Sequence, residues 1–262
     1  TPNANGWLDT INYFIMFGFY KNKTEFLRKH AIYKELYVGR PRPIKVVDDF
    51  KHKDELKRKY NTFSIELSKD EALDLPPLVF ENVYFKPSTE YKKIKKDRVL
   101  SIDGELRLFD TLSSLQYGLR YYANQKDKLK YAEMLAEGTD ENIVIFYNFT
   151  KEKDDLIEVM KKLDKKIYEV SGQRSFIPNK SEWSKLKNSV TLVQYQAGSA
   201  GIELQYANIV VFYSLTYSYQ DYEQALGRCY RNGQTKKVTA YRFITKDTIE
   251  MAIFGALKNK RD

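Results

Sequence analysis

The spacing of apolar and polar positions changes partway along the chain. Residues 7–19 are apolar and aromatic and predict a buried helix. Residues 20–75 are charged and mixed, with short helices expected over 23–33 and 51–60 and a break at Pro41 and Pro43. Pro76-Pro77 is a strong punctuation mark, and the texture differs beyond it. LVFENVYF at 78–85 predicts a strand, and 88–96 and 112–137 carry helical material around an irregular piece. A regular alternation follows. NIVIFYNF at 142–149 is a near-continuous apolar run of buried-strand length. Residues 153–163 place Leu156, Val159, Met160 and Leu163 on one helical face. Strands are expected at 167–170, 190–195, 208–213 and 238–244. Short helices are expected at 181–188, with Ser181 as cap, and after Asp247, which sits three residues before Glu250 as in a capping box.

Strands that alternate with helices and are apolar on both sides make an α/β fold: a parallel sheet with helices on both faces. Ligands of such sheets sit beyond the carboxyl ends of the strands. The loop 194–203 and the segment after the strand at 208–213 both follow strands. That places Gly198, Gly201, Glu203, Arg228 and Arg231 on one expected rim.

The helix after residue 213 carries a polar stripe. Asp221, Gln224, Arg228 and Arg231 are spaced 3, 4 and 3 apart, an arc of roughly 80° at about 100° per residue. Tyr222, Ala225, Leu226 and Cys229 form the apolar side. Two fixed arginines suit a polyphosphate, because a guanidinium stays charged and grips phosphate oxygens bidentately. Glycines at 198 and 201 let backbone approach a phosphate, and Glu203 is a carboxylate able to accept from a ribose hydroxyl. The sequence contains no GxxxxGK[ST] phosphate loop, however. Asp70-Glu71-Ala72-Leu73 imitates an acidic magnesium motif but follows Ser68-Lys69 and not an apolar strand. The chain thus has arginines for a phosphate it does not itself cradle, and the stripe is expected to reach a nucleotide held on another domain.

Composition narrows the class. The formal charge of +9 points to an anionic partner, most simply nucleic acid. Basic residues concentrate at 51–60 and 91–98. One cysteine and two separated histidines leave no disulfide framework and no zinc ligand set. No stretch predicts a membrane span or a signal peptide, and a reducing cytoplasm is expected. The opening Thr1-Pro2-Asn3-Ala4-Asn5-Gly6 reads as a loop interior, as in a piece of a longer protein.

These motifs resemble a known family. QALGRCYRNGQ resembles the sixth motif of superfamily-two helicases, QxxGRxxR, and DYEQALGRCYRNGQTKKVTAYRFITKDTIE resembles its Swi/Snf-type form. QYQAGSAGIELQYANIVVFY resembles the fifth motif, and NIVIFYNFTKEKDDL the fourth. TPNANGWLDTINYFIMFGF resembles the third, and LDLPPLVFENVYF the link into a second lobe. The resemblance implies RecA-like folding: residues 1–75 as the end of a first lobe and a mostly helical connector, and 76–262 as the second lobe. It implies a nucleic-acid-dependent ATPase, a helicase or translocase, with ATP and Mg2+ held mainly by the first lobe. The nucleic acid is DNA in preference to RNA, and this chain alone is expected to be inactive. Arg228 and Arg231 match arginine fingers. Gly201, Glu203 and Gln224 match nucleotide-side positions, and no residue is assigned to a metal. Ser171, Gly172, Gln196, Gly198 and Ser199 match positions that touch the nucleic-acid backbone.

There are departures. Glu203 stands for Asn or Asp, Gln196 for a basic residue, and Ser199 and Ala200 for Gly and Leu. Tyr230 stands for His, and Thr216-Tyr217-Ser218 for Trp-Asn-Pro. With a composition rich in Lys, Tyr, Asn and Ile, these point to a divergent phage or bacterial branch acting in a bacterial cytoplasm, with no nucleosome to move. The alternative is a non-catalytic nucleic-acid-binding or protein-interaction module derived from such a lobe.

Overall fold

The computed structural model describes residues 6–36, 43–65, 74–102, 104–197 and 201–259. Pro41, Asp70-Glu71-Ala72-Leu73, Gly198, Ser199 and Ala200 lie outside the described residues. The chain divides into two compact units, Thr1–Ala72 and Leu73–Asp262.

The first unit holds α1 (Trp7–Met16), α2 (Lys23–His30), a hairpin of β1 (Ala31–Leu36) and β2 (Ile44–Phe50), and α3 (Lys53–Asn61). Its core joins Ile11, Phe14, Tyr20, Phe26 and Leu56. The helix expected over 23–33 stops at His30, because Ala31 is already extended (φ −72°, ψ 137°) and the strand starts there. His30 is fully buried. Its Nδ1 lies 3.1 Å from the Lys51 oxygen and its Nε2 lies 2.7 Å from the Tyr20 hydroxyl. A carbonyl can only accept, so Nδ1 carries the proton and Tyr20 donates to Nε2.

The second unit is a seven-stranded sheet in the order β3-β11-β10-β6-β9-β7-β8. The strands are β3 (Leu78–Phe85), β6 (Ile143–Tyr147), β7 (Lys166–Val170), β8 (Ser175–Phe176), β9 (Ser189–Gln194), β10 (Ile209–Phe212) and β11 (Val238–Thr245). Every pairing is parallel except β7 with β8. The helices are α4 (Thr89–Asp97), α5 (Leu112–Tyr121), α6 (Gln125–Glu137), α7 (Thr150–Lys162), α8 (Tyr219–Cys229) and α9 (Ile249–Asn259).

The central strand shows why both faces are covered. Val144 and Phe146 pack with Tyr222, Ala225, Leu226, Ile253 and Leu257 from α8 and α9. Ile143, Ile145 and Tyr147 pack on the opposite face with Ala132, Ala136, Leu156 and Met160 from α6 and α7. Successive side chains of a strand point to opposite faces, so a strand apolar at every position needs a helix layer on each side. Each such side chain contributes roughly 1.5–3 kcal/mol on burial. The expected α/β class, a parallel sheet with helices on both faces, is therefore the observed one.

Several local expectations are corrected. The irregular piece before residue 112 contains a hairpin, β4 (Val99–Ile102) with β5 (Glu105–Leu108), turning at Gly104 with φ +86°. The helical material of 112–137 is two helices, because Asn124 takes an N-cap conformation and accepts from the Asp127 N–H at 2.9 Å. Ser181 caps nothing. It lies inside a 3-10 turn, Lys180–Lys185, whose N-cap is Asn179. Asp247 does not complete a capping box with Glu250. It adopts φ +57°, and Glu250 turns inward to accept from the Thr245 N–H at 2.8 Å and to pair with Lys128. Both ends of that ion pair are almost wholly buried.

Candidate nucleotide and nucleic-acid edges

Helix α8 starts where its sequence provides a cap. The Ser218 hydroxyl accepts from the Asp221 N–H at 3.1 Å. The helix then runs back along the sheet with Tyr222, Ala225, Leu226 and Cys229 buried, as the apolar spacing predicts. It ends at Cys229. Arg231 therefore lies beyond the helix and is not the fourth member of its stripe, which is limited to Asp221, Gln224 and Arg228. The backbone turns away at Tyr230 (φ −101°, ψ 83°) and passes through Gly233 at φ +96°, a region glycine enters without strain.

Gln234 holds this turn in place. Its side-chain amide is buried and donates to the main-chain oxygens of Ala207 (2.9 Å), Gln205 (3.1 Å) and Cys229 (3.3 Å). Its Oε1 accepts from the N–H groups of Thr235 and Lys236, each at 3.0 Å. Gln205 Nε2 donates to the Asn232 oxygen at 3.3 Å, and the Leu204 N–H donates to the Arg228 oxygen at 3.1 Å. The turn after α8 is thus stitched to residues 204–207, next to Glu203. In the sequence, Gln234 only closes the QALGRCYRNGQ motif beside Gly233. Its signal was a lone amide beside a glycine.

Glu203 is ionised and engaged. The Lys180 ammonium, 2.5 Å away, holds its carboxyl below the usual carboxylate range, and the nearby charge of Arg231 acts in the same direction. Gly201, two residues upstream, has φ +66° and open space where a side chain would begin.

The expected single rim is two edges. Gln234 binds the oxygen of Ala207, which precedes β10, and Val238 N–H at the start of β11 donates to Pro77 O ahead of β3. Arg228, Arg231 and Glu203 therefore cluster toward the amino ends of β10 and β11. The reason is the length of α8: it begins beyond the carboxyl end of β10 and returns past the whole strand, so that Arg228 falls in its last turn and Arg231 just after it.

The other residues lie at the carboxyl ends. Ser171 and Gly172 follow β7, and Gln196 follows β9. The Ser171 hydroxyl donates to Glu169 Oε1 at 2.8 Å and accepts from the N–H groups of Gln173 and Arg174. The Gly172 N–H reaches Gln194 Oε1 at 3.4 Å, joining the two loops. Gln196 is exposed.

The same end carries a network with a weaker sequence signal. Glu152, fully buried in the first turn of α7, accepts from the N–H groups of Asn148 (3.1 Å) and Phe149 (3.2 Å), from Ser214 Oγ (2.8 Å) and from Gln125 Nε2 (3.0 Å). Burial raises its carboxyl above the usual range against the pull of those donors. The Asn148 side chain donates to Ser214 and Leu215 oxygens. This ties the ends of β6 and β10 together. The readable hint was Glu152 at the third position of a helix whose entry lacks a polar cap.

Among the described residues no group of three or more His, Cys, Asp or Glu side chains could hold a metal ion, and no helix is long and apolar enough to cross a membrane.

Part of the chain is similar to known proteins. Residues 126–233, running from α6 through the Arg228–Gly233 turn, match the helicase conserved C-terminal domain. That stretch lies within the second unit, which is similar there to the helicase domain. The chain is 36% identical over 132 residues to the ATP-dependent helicase fft3 of Schizosaccharomyces pombe, covering 49% of this chain and 14% of that one. It is 31% identical over 150 residues to the chromatin-remodeling ATPase INO80 of the same organism, covering 55% and 9%. It is 28% identical over 215 residues to the ATP-dependent helicase FUN30 of Saccharomyces cerevisiae, covering 71% and 19%. The chain thus spans less than a fifth of each of these relatives. A solved structure, the C-terminal part of the Fun30 ATPase domain, aligns with TM-score 0.48 and 20% identity over 70% of this chain and 90% of that one. These relatives are eukaryotic and give no support to a phage or bacterial source or to a bacterial cytoplasm.

Proposed function

We propose that this chain supplies the second motor lobe of an ATP-dependent DNA helicase or translocase. The observation that carries the reading is the separation of two edges on one sheet. One edge gathers Arg228, Arg231 and Glu203 and suits a polyphosphate. The other gathers Ser171, Gly172 and Gln196 and suits a nucleic-acid backbone.

On this reading Arg228 and Arg231 stabilise charge on the phosphates of ATP bound with Mg2+ by a phosphate-loop lobe outside this sequence. ATP supplies the transferable phosphoryl group. Gly201 and Gln224 shape the nucleotide side of the lobe. Glu203 offers a ribose contact once Lys180 is displaced from it. Ser171, Gly172, Gln196, Gly198 and Ser199 form the DNA track. Both edges share the segment after β9, so DNA at residues 196–199 and phosphate at Arg231 act on one stretch of backbone.

The test is ATP hydrolysis with and without duplex DNA, on this chain alone and on the protein that carries it together with a phosphate-loop lobe. Hydrolysis confined to the two-lobed protein and accelerated by DNA is the expected result. Full turnover by this chain alone overturns the reading. A two-lobed protein inert with DNA and RNA favours a binding module derived from the lobe.

A further inference from the structure

A cleft of about 500 Å³ opens between the β3 edge of the sheet and α9, and it contains none of the residues assigned above to nucleotide or DNA. Its lining includes Asn82, Tyr84, Tyr222, Arg242, Phe254 and Lys258. Arg242 stands on β11 directly opposite Asn82 of β3. Its guanidinium lies 3.8 Å from the centre of the Phe80 ring, with the rings of Tyr222 and Phe254 at 5.7 and 5.6 Å. Nε donates to the Tyr222 hydroxyl at 2.8 Å.

Among the described residues no carboxylate pairs with Arg242 or Lys258, and no hydrogen bond engages the two terminal nitrogens of Arg242. No described lining residue is acidic. An arginine stacked on rings is already ordered, so its fork grips a carboxylate with little further loss of freedom. Strand β3 is the end of the sheet, and no described strand pairs with its outer side. Its side chains at 78, 80, 82 and 84 share the face of Arg242. An extended peptide laid along such an edge finds main-chain partners, and its alternate side chains fall over the cleft.

We propose that the Arg242 cleft docks an extended segment of a partner protein bearing an Asp or Glu between apolar residues. The carboxylate takes the terminal nitrogens of Arg242, with Lys258 beside it. The apolar neighbours lie on Tyr84 and Phe254. Two cations set among apolar walls match a single acidic side chain. A phosphate backbone needs a broader basic surface.

The test pans a random twelve-residue peptide phage library on this chain, then measures an enriched peptide by fluorescence anisotropy. Sequences with an acidic residue flanked by apolar ones are expected. Arg242→Lys, which keeps the charge and loses the fork, is expected to weaken binding about tenfold or more. Lys258→Glu on the exposed end of α9, and Glu→Gln in the peptide, read the same contact without touching the core. Enrichment of peptides lacking an acid overturns the proposal. So does binding indifferent to all three changes, or Arg242-dependent binding of a duplex oligonucleotide with none of the peptides.

Discussion

Gln234 donates to the main-chain oxygen of Ala207 at 2.9 Å, across the gap between the arginine turn and the segment that follows Gly201. Two parts of the chain with separate chemistry are joined there by one neutral side chain. Removing the amide leaves three buried carbonyl oxygens without their donor and two N–H groups without their acceptor. Gln234→Ala is expected to cost roughly 2–3 kcal/mol, read by urea unfolding. Gln234→Glu is expected to cost more, because a carboxylate then faces carbonyl oxygens. A cost near zero would mean that the Gln205–Asn232 and Leu204–Arg228 bonds suffice to hold the turn.

Arg231 sits beyond the helix end, so its substitution leaves the caps and apolar face of α8 intact. In the two-lobed protein Arg231→Ala is expected to lower ATP turnover by roughly 10³–10⁵ while nucleotide binding largely persists. Single-turnover hydrolysis and nucleotide titration separate the two. A loss below about tenfold would make Arg231 structural.

The buried pair of Lys128 and Glu250 joins α6 to the entry of α9. Lys128→Met alone leaves a carboxylate in the core and is expected to cost roughly 3–5 kcal/mol. Glu250→Gln keeps an acceptor for the Thr245 N–H. The double variant Lys128→Met, Glu250→Gln is expected to be more stable than Lys128→Met. A double-mutant cycle by thermal unfolding checks this, and simple additivity would deny the pair any coupling.

The layered sheet was legible because its central strands β6 and β10 are apolar at every position and its helices keep a 3.6-residue period. The hairpins were less so. Leu106 and Leu108 are exposed, so β5 lacks the one-sided pattern that betrays a strand. The arginines stand out by residue type and spacing, but the periodicity placed Arg231 on a helix that ends before it. Spacing cannot see Gln234 pulling the chain aside. Nor could the rule that ligands sit at carboxyl strand ends place Glu203 and the arginines: α8 returns the chain to the amino end of β10 before Arg231, and Glu203 sits in the crossover leading into β10.

His30 reports on the first unit. Burial lowers its pKa below the usual value of 6.5. The folded unit therefore favours the neutral ring. The stability this gives is present above about pH 6.5 and is lost as pH falls through that value toward the lowered folded one. Trp7, packed on Phe14 and Tyr60, is the probe. With Trp183→Phe as background, urea midpoints followed by Trp7 are expected to fall between pH 7.5 and 5. In His30→Gln that slope is expected to flatten. An unchanged slope would assign the acid sensitivity to other groups.

Gly118 lies within α5, where alanine would ordinarily be the better helix former. A Cβ there would meet two carbons of the Phe109 ring at 2.6 Å. Gly118→Ala is expected to destabilise by about 1–3 kcal/mol, against a propensity gain of about 1 kcal/mol. Phe109→Leu in the same chain should recover part of the loss. A stabilised Gly118→Ala would show that the ring moves aside freely.

The strand order has a consequence for how the second unit is made. Strand β6 lies between β9 and β10, both of which come later in the chain. As the polypeptide leaves the ribosome, Ile143–Tyr147 emerges with every side chain apolar and neither neighbour yet synthesised. Its edges stay open until Gln194 and then Phe212 have followed. Sheets built from distant strands fold slowly and expose sticky surface while they wait. Between the emergence of β6 and that of β10 this unit therefore exposes an apolar strand, and slow codons that lengthen the interval are expected to raise the aggregated fraction.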